Sequence, residues 1–285
     1  MESLLDLLKK STAFLEKKGI GNARLQSELI FAGTLACRRL DLYLQFERPL
    51  TREQIDMLRE RILRRARREP VQYIVGDTDF RTLTLKCDSR ALIPRPETEE
   101  LVGFALEKLN AEKPANAPAR VLDLGTGTGA IALSFAAERP GTQVVAADKS
   151  ADALALAREN AAALSPEIVA RTEFIQSDWF EKISGAFDVI VSNPPYLTEA
   201  EWASAQPEVR EHEPRGALVA ADDGAADLEK ILRGAREHLA PGGFVALETG
   251  IAQHARLEKF ARENGFSEIE TKTDLSGRPR FFFAR

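Results

Sequence analysis

The sequence predicts an α/β protein in which a small, all-helical amino-terminal domain precedes a larger domain with a mostly parallel sheet. Leucines recur at helical spacing through the first 70 residues, beginning at Leu4. Farther along, short apolar runs alternate with helical patterns, which is typical of βαβ winding. The 285 residues, 44% of them hydrophobic, suffice for one large core and one smaller core. We therefore expect a helical domain over 1–70, a linker over 71–93 and a sheet domain over 94–285.

The last long helix of the amino-terminal domain is predicted to begin at Thr51, because Thr51-Arg52-Glu53-Gln54 has the form of a helix-capping sequence. Its arginines, interspersed with acidic residues, fit a solvated helix face or a docking surface about equally well. The formal net charge of −5 argues against a general nucleic-acid binder, although a local basic patch can still touch RNA. The arginines are Arg52, Arg59, Arg61, Arg64, Arg65, Arg67 and Arg68.

The linker has the pattern of a β-hairpin. Two short runs with strand character, Thr78–Phe80 and Thr82–Lys86, are split by Arg81. We expect this hairpin to connect the two domains.

The first strand of the sheet domain leads into a glycine-rich turn. The apolar run from Val121 to Leu124 precedes Gly125-Thr126-Gly127-Thr128-Gly129, and a helix is predicted to follow. Glycines permit positive φ and close approach of a ligand, and the free N–H groups at the helix start face whatever lies over the turn. Alone, this pattern also fits a dinucleotide site or tight packing of a helix on the sheet.

The next two strands each end near an acidic residue. Asp148 follows the glycine turn by about 20 residues, the spacing expected for recognition of ribose hydroxyls. Its alternative role is to cap the helix that begins near Ser150. A third strand, starting at Phe174, is followed by Asp178 and Trp179, which could accept an adenine amine and flank its ring; a tryptophan can equally be core.

The fourth strand, Phe187–Ser192, ends in Asn193-Pro194-Pro195-Tyr196. A residue before proline is held extended, and neither proline has an N–H group. The carbonyls of this turn therefore have few local donors, and the Asn193 amide can also accept a hydrogen bond. The turn predicts a pocket for a planar NH2 group, although a proline-rich loop without function would look similar.

Together these elements place a nucleoside over three strand ends and an amine-accepting turn at the fourth, since ligands of open α/β sheets bind at the carboxyl ends of strands. A dinucleotide oxidoreductase would leave the turn at Asn193 without a task. Further helices are predicted near 97–110, 128–138, 151–163, 223–239 and 252–264, and further strands at Gly243–Glu248, Glu268–Lys272 and Arg280–Phe283.

In this arrangement the chain resembles the class I S-adenosylmethionine-dependent methyltransferases, whose sheet is Rossmann-like. The Asn-Pro-Pro-Tyr form is similar to that of members that methylate adenine, cytosine N4 or a glutamine amide. Other segments resemble the HemK-type, or PrmC-type, release factor glutamine methyltransferases. These segments are Pro70–Gly76, Leu92–Val102, Glu213–Leu218, Pro241–Gly243 and Asp274–Arg280.

This resemblance implies methyl transfer from S-adenosylmethionine, leaving S-adenosylhomocysteine, to the N5 atom of the glutamine in the Gly-Gly-Gln loop of class 1 peptide chain release factors. The helical domain would then recognise the protein substrate, and Pro94–Glu99 would shape a lid over the cofactor. We expect cofactor contacts from Gly125, Thr126, Gly127, Thr128, Gly129, Asp148, Asp178, Trp179 and Asn193. Substrate contacts are expected from Asn193, Pro194, Pro195 and Tyr196, of which Asn193, Pro194 and Tyr196 are the expected catalytic residues.

Two other functions fit parts of the sequence. An adenine-N6 methyltransferase would use the same turn, but it would be expected to carry a basic target domain. An adaptor that docks on translation factors through the arginine-bearing helix would need no intact nitrogen pocket.

Several classes of site and location are not expected. Cys37 and Cys87 lie far apart, so reduced thiols are predicted, and the scattered histidines predict no metal site. No apolar stretch approaches the roughly 20 residues of a membrane span, and the start Met1-Glu2-Ser3 lacks the features of a signal peptide. We expect a cytoplasmic monomer that binds neither membranes nor, stably, nucleic acid.

Overall fold

The chain forms two compact units in the computed structural model, which describes residues 3–285. One unit comprises the described residues up to Asp77 together with Gln206–His212, and the other comprises Thr78–Ala205 and Glu213–Arg285. Met1 and Glu2, on which part of the signal-peptide prediction rests, lie outside the described residues. Within residues 3–285, no helix is both long enough and apolar enough to cross a membrane.

The helical unit packs around a core that includes Leu8, Phe31 and Ile62. Its first and longest helices begin with capping boxes, because the Ser3 and Thr51 side chains accept hydrogen bonds from the third residue of the helix that each precedes. The start predicted at Thr51 is thereby confirmed. The helices are α1 (Leu4–Lys17), α2 (Ala23–Leu35), α3 (Arg39–Tyr43), α4 (Arg52–Ala66) and α5 (Val71–Val75).

A buried ion pair holds a later segment of the chain in this unit. The Arg65 side chain is only 4% exposed, and its Nη2 donates to Glu208 Oε1 at 2.6 Å. Arg52 and Arg59 of the same helix are instead well exposed and pair with Asp56. The sequence predicted that all of residues 94–285 belong to the sheet domain. Instead, Gln206–His212 belongs to the helical unit, which local sequence patterns did not indicate.

The stretch 71–93 is divided between the two units. Helix α5 contributes Ile74 to the helical core. Strands β1 (Asp77–Phe80) and β2 (Leu83–Lys86) pair as a hairpin, and Arg81 between them adopts a φ of 52°. Phe80, Leu83 and Leu85 of the hairpin pack into the core of the other unit.

The second unit is built on a seven-stranded sheet with the order β5-β4-β3-β6-β7-β9-β8. Strands β3 to β7 pair with one another in parallel, whereas β9 runs antiparallel to both of its neighbours, β7 and β8. The predicted α/β fold class is confirmed. The strands are β3 (Ala119–Leu124), β4 (Thr142–Asp148), β5 (Thr172–Gln176), β6 (Phe187–Ser192), β7 (Leu239–Glu248), β8 (Ile269–Thr273) and β9 (Pro279–Ala284).

Helices cover both faces of this sheet, because successive strand residues point to opposite cores. Val121 lies in the core beneath α6 and α7, and Leu122 lies in the core beneath α12 and α13, whose bounds follow. The helices in chain order are α6 (Pro96–Glu112), α7 (Ala130–Glu138), α8 (Ala151–Ala162), α9 (Pro166–Ala170), α10 (Glu199–Ser204), α11 (Pro207–His212, in the helical unit), α12 (Ala226–His238) and α13 (His254–Glu263). A 3-10 turn spans Arg215–Ala217.

The sheet changes winding direction between β3 and β6. From β3 the chain proceeds outward to β4 and β5, then returns to add β6 on the other side of β3. Such a switch point opens a crevice at the carboxyl ends of the strands. The glycine turn after β3 and the Asn193 turn after β6 therefore lie side by side.

Candidate active site

A cavity opens at the switch point, above the carboxyl ends of β3, β4 and β6. Its walls contain nine of the residues predicted for the cofactor and substrate: Gly125, Thr126, Gly127, Thr128, Asp148, Asp178, Trp179, Asn193 and Pro195. Three predicted residues, Gly129, Pro194 and Tyr196, are not in its lining.

The glycine turn brings backbone close to the cavity. Gly125 and Gly127 have φ values of 73° and 56°, in the left-handed region that favours glycine. A Cβ on Gly125 would lie 3.8 Å from the Trp179 ring. At Gly129, by contrast, a Cβ would come within 3.0 Å of Leu133 and 3.3 Å of Ala157, so this glycine permits close helix packing.

Asp148 is fixed at the edge of the cavity by backbone amides. Its Oδ2 accepts from the Gly127 N–H and its Oδ1 from the Ser150 N–H, both at 2.9 Å. Burial raises the pKa of this carboxyl group, and the two amide bonds oppose that rise. The capping role that the sequence left open for Asp148 falls to Ser150, whose Oγ accepts from the Ala153 N–H.

Asp123 is a second carboxyl group near the glycine turn, and the sequence reasoning did not single it out. It is fully buried, its Oδ2 accepts from Thr126 Oγ1 at 2.6 Å and from the Ala132 N–H at 3.1 Å, and its Oδ1 has no partner. Burial raises its pKa to about 7. The available signal was a single acidic residue inside an otherwise apolar strand.

Trp179 is held firmly beside the glycine turn. Strand β5 ends at Gln176, before Asp178, and Trp179 adopts a φ of 47°. Its Nε1 donates to Asp227 Oδ1 at 3.2 Å, which orients the indole ring toward Gly125. The ring is thus a fixed wall of the cavity.

The Asn193 turn presents acceptors without partners. Asn193 Nδ2 donates to Thr98 Oγ1 at 2.9 Å. Among residues 3–285, none donates a hydrogen bond to Asn193 Oδ1 or to the Pro194 carbonyl oxygen. Asn193 lines the cavity, so its Oδ1 can accept a hydrogen bond from a ligand there, whereas Pro194 is buried behind the lining.

Tyr196 is anchored behind this turn. Its hydroxyl donates to Glu248 Oε1 at 3.0 Å, and its carbonyl oxygen accepts from Gln253 Nε2 at 3.0 Å. A Cβ on Gly224 would lie 2.1 Å from that carbonyl oxygen, so glycine is needed there. Burial, together with the Glu248 charge, raises the pKa of the Tyr196 phenol, which therefore stays protonated.

The segment before α6 closes one side of the cavity. Ile93, Pro94, Arg95 and Thr98 all contribute to the lining. The buried Glu213 carboxylate accepts from the Ile93 N–H at 3.2 Å and pairs with the Arg95 guanidinium. Two segments that the sequence resemblance singled out thus meet over the cavity.

Comparison with known proteins gives the same family over most of the chain. A model described as the PrmC N-terminal domain matches residues 6–76, and one described as a methyltransferase small domain matches residues 104–208. A release factor glutamine methyltransferase of Chlorobaculum tepidum is 45% identical over 225 residues, which are 76% of each chain. One of Deinococcus radiodurans is 39% identical over 99% of this chain and 98% of its own.

The chain belongs to the release factor glutamine methyltransferase family. The resemblance read from the sequence is thereby confirmed, and so is the prediction of a methyltransferase. The fold of this family member is also similar to a methyltransferase from Pyrococcus furiosus, with a TM-score of 0.52 and 18% identity over 71% of this chain and 88% of that one. This likeness concerns the fold and agrees with the predicted class I methyltransferase sheet.

Proposed function

We propose that this protein transfers a methyl group from S-adenosylmethionine to the N5 atom of the glutamine in the Gly-Gly-Gln loop of class 1 peptide chain release factors. The observation that carries the proposal is the pair of free acceptors, Asn193 Oδ1 and the Pro194 carbonyl oxygen, at the end of β6. A side-chain amide has two N–H donors, one for each. Curated relatives named release factor glutamine methyltransferase support the choice of glutamine.

The residues around the cavity fit S-adenosylmethionine, which supplies an electrophilic methyl group on a sulfonium. Each Asp148 carboxylate oxygen accepts one hydrogen bond from a backbone N–H group and retains a lone pair that could accept from a ribose hydroxyl. Asp178 and Trp179 both line the cavity beside the glycine turn, and we assign Asp178 to accept from the adenine amine and Trp179 to flank the ring. Thr126 and Thr128 complete the wall on that side.

The substrate amide is a poor nucleophile, because its nitrogen lone pair is delocalised into its carbonyl group. Asn193 Oδ1 and the Pro194 carbonyl oxygen would each accept one N–H and so orient the nitrogen. These bonds strengthen as the nitrogen gains positive charge, so they stabilise the transition state more than the bound substrate. Pro195 keeps the turn extended.

Tyr196 would act through its ring and not as a base. Its hydroxyl is committed to Glu248 and its pKa is raised. We assign its ring to packing near the reacting nitrogen, where an aromatic face would favour developing positive charge. Methyl transfer would give an N-methylated amide cation, which is a strong acid, so water can take its proton.

The helical unit is the part of the chain that we assign to holding the release factor. It exposes three large apolar side chains along and just after α3, namely Leu40, Tyr43 and Leu44, with exposures of 69%, 47% and 85%. A cluster of this kind on a surface is typical of a protein contact. We also propose that the protein acts as a monomer in the cytoplasm, where its substrate takes part in translation.

Neither rival function is favoured. An adenine-N6 enzyme would share the Asn193 turn, but the relatives found are named for glutamine methylation and the net charge is −5. An adaptor would have no use for the free acceptors beside a cofactor-sized cavity.

A labelling experiment tests the proposal. The protein is incubated with radiolabelled S-adenosylmethionine and either a class 1 release factor, the same factor with Gln→Ala in its Gly-Gly-Gln loop, or adenine-containing DNA or RNA. Label in the unaltered factor alone is expected. Label in nucleic acid, or equal label in the Gln→Ala factor, would overturn the assignment of glutamine.

A further inference from the structure

A buried chain of hydrogen bonds runs behind the Asn193 turn and ends on a carboxylate. Asn193 Nδ2 donates to Thr98 Oγ1 at 2.9 Å, and Thr98 Oγ1 donates to Glu248 Oε2 at 2.7 Å. The other carboxylate oxygen, Oε1, accepts from the Tyr196 hydroxyl at 3.0 Å. Thr98 is 5% exposed and Glu248 is 1% exposed, so water does not substitute for these bonds.

We propose that Glu248, acting through Thr98, sets the orientation of the Asn193 amide and thereby makes the pocket select a carboxamide over a carboxylate. The proposal rests on the proposed function, because it concerns how the same turn recognises glutamine. Glu248 and Thr98 are positioning residues in this scheme. Asn193 is the group that touches the substrate.

The direction of the chain follows from counting protons. A threonine hydroxyl has one proton, and a carboxylate can only accept. When Glu248 is ionised, Thr98 must give its proton to Glu248 and can only accept from Asn193. Asn193 must then turn its NH2 group toward Thr98, which leaves Oδ1 as the atom available to the substrate.

The reverse orientation would defeat glutamine recognition. If position 248 donated a hydrogen to Thr98, the threonine proton would be free to point at Asn193. Asn193 would then turn Oδ1 toward Thr98 and present Nδ2 to the substrate. The NH2 group of Asn193 would then face the NH2 group of the substrate glutamine, which is unfavourable, whereas a substrate carboxylate would receive a hydrogen bond from Asn193.

The groups around Glu248 act on its pKa in opposite directions. Burial raises the pKa of the Glu248 carboxyl group, and the nearby Glu97 charge adds to that rise. The bonds from Thr98 and Tyr196 and the charge of Arg280 oppose it. Arg280 is itself fixed, since its Nη1 donates to the Thr249 carbonyl oxygen at 2.9 Å.

Three substitutions separate orientation from packing. Thr98→Ser keeps the hydroxyl, Thr98→Val keeps the shape without the hydroxyl, and Glu248→Gln replaces a carboxylate that can only accept by an amide that can also donate to Thr98. Methylation of the release factor is expected to fall by up to about 100- to 1,000-fold in kcat for Thr98→Val and Glu248→Gln, by analogy with loss of one hydrogen-bonding group that stabilises a transition state. Thr98→Ser, which retains the hydroxyl, should lose less activity than Thr98→Val.

Inhibition by a substrate analogue shows whether the amide has turned. The competitor is a release factor in which the loop glutamine is changed to glutamate. Wild-type protein and Thr98→Ser should bind it more weakly than the glutamine factor, whereas Glu248→Gln should bind it better relative to the glutamine factor. An unchanged ratio in Glu248→Gln, with the protein folded and cofactor bound, would overturn the proposal.

A second readout does not depend on activity. The side-chain NH2 signals of Asn193, assigned by their loss in Asn193→Ala, should exchange slowly with solvent in wild type and Thr98→Ser and faster in Thr98→Val and Glu248→Gln. Equal exchange in all four proteins would refute the proposal even if methylation were normal. Absence of transfer by the wild type would instead count against the proposed function, and the exchange rates would still decide the orientation.

Discussion

Asn193 and Asp123 show that the part a residue plays depends on what each of its atoms is bonded to. In Asn193 the side-chain nitrogen is hydrogen-bonded and the oxygen has no partner, and in Asp123 one carboxylate oxygen is bonded and the other has no partner. Asn193 lies at the cavity, whereas Asp123 is fully buried near the glycine turn. The free oxygen of Asn193 is available to a ligand. The unpartnered oxygen of Asp123 has no ligand in reach and instead makes the stability of the fold depend on pH.

Replacing Asp123 by Asn should flatten that pH dependence. The pKa of Asp123 is raised from 3.8 to about 7 in the folded chain, so the folded state holds a proton that the unfolded state releases. The resulting stabilisation is fully present below pH 3.8 and is lost as the pH rises through about 7. A difference of roughly three pKa units sets a ceiling of about 4 kcal/mol. Denaturant unfolding without cofactor should therefore show a smaller loss between pH 4 and pH 8 in Asp123→Asn than in wild type.

The same slope in both proteins would show that Asp123 does not titrate in this range. Asn can still accept from Thr126 and from the Ala132 N–H through its carbonyl oxygen, so the substitution keeps both bonds. This makes the comparison one of charge and not of packing.

The sequence could predict the residue types at the site but not all of their partners. Asn193 was expected to accept hydrogen bonds because the prolines after it lack N–H groups, and its Oδ1 is indeed without a partner. Thr98 and Glu248, which orient it, lie far from it along the chain, and no local pattern connects them. Their meeting depends on how α6 and β7 pack.

At the scale of elements, long periodic segments were predictable and short ones were not. Helices α6, α7, α8, α12 and α13 and all seven strands of the sheet correspond to predicted segments. Helices α9, α10 and α11 span only five or six residues, which is too short for a helical period to be recognised. Strand β7 begins at Leu239 and not at Gly243, because the irregular pairing opposite Phe187 and Val189 accommodates the Pro241–Gly243 turn.

The glycine turn allows a test of two roles within one element. Gly125 and Gly129 both have positive φ, so alanine is strained by about 1–2 kcal/mol at either position. At Gly129 the new Cβ would also press on Leu133 at 3.0 Å, whereas at Gly125 its nearest neighbour would be the Trp179 ring at 3.8 Å. We expect Gly129→Ala to lower the melting temperature more, and Gly125→Ala to weaken S-adenosylmethionine binding more.

Thermal unfolding and equilibrium binding of the cofactor, measured on both variants, check this prediction. The two variants serve as controls for each other, since they share the backbone strain. If Gly125→Ala bound cofactor as tightly as wild type, the glycine turn would not line the cofactor site.

At the scale of the whole molecule, the chain builds two units with separate cores, and one of them borrows a segment from far along the sequence. Gln206–His212 lies with the helical unit, where Glu208 pairs with Arg65. The sequence predicted two domains from the change in periodicity. The borrowed segment was not predictable, because a buried ion pair between distant residues leaves no local pattern.

Breaking that ion pair should cost more than removing it altogether. A single Arg65→Leu removes the buried partner of the Glu208 carboxylate and leaves it only the more exposed Arg68, whose Nη1 lies 3.3 Å from Glu208 Oε1, so the expected loss is at most about 3–5 kcal/mol. The double substitution Arg65→Leu/Glu208→Leu removes both charges and should recover part of that loss. Denaturant unfolding measures both values, and cofactor affinity should not change, because the cavity lining lies entirely in the other unit. Equal losses in the single and double variants would contradict this account of the pair.

The proposed task of the helical unit can be tested on its surface. Replacing Leu40 and Leu44 by Ser should raise the KM for the release factor while leaving cofactor affinity and the melting temperature near wild type. Leu275→Ser is a matched control, since Leu275 is 93% exposed but lies in the other unit. Similar KM values for the two sets of variants would argue against substrate binding at the end of α3.

The central claim is that the free oxygen of Asn193 serves methyl transfer to one glutamine nitrogen. The most direct test is fragmentation mass spectrometry of a class 1 release factor after incubation with S-adenosylmethionine and either the wild-type protein or Asn193→Ala. The account predicts a methyl group on the glutamine of the Gly-Gly-Gln loop with the wild type, and a rate lower by about 100- to 1,000-fold with Asn193→Ala despite normal cofactor binding. A methyl group on another residue, or an unchanged rate in Asn193→Ala, would contradict it.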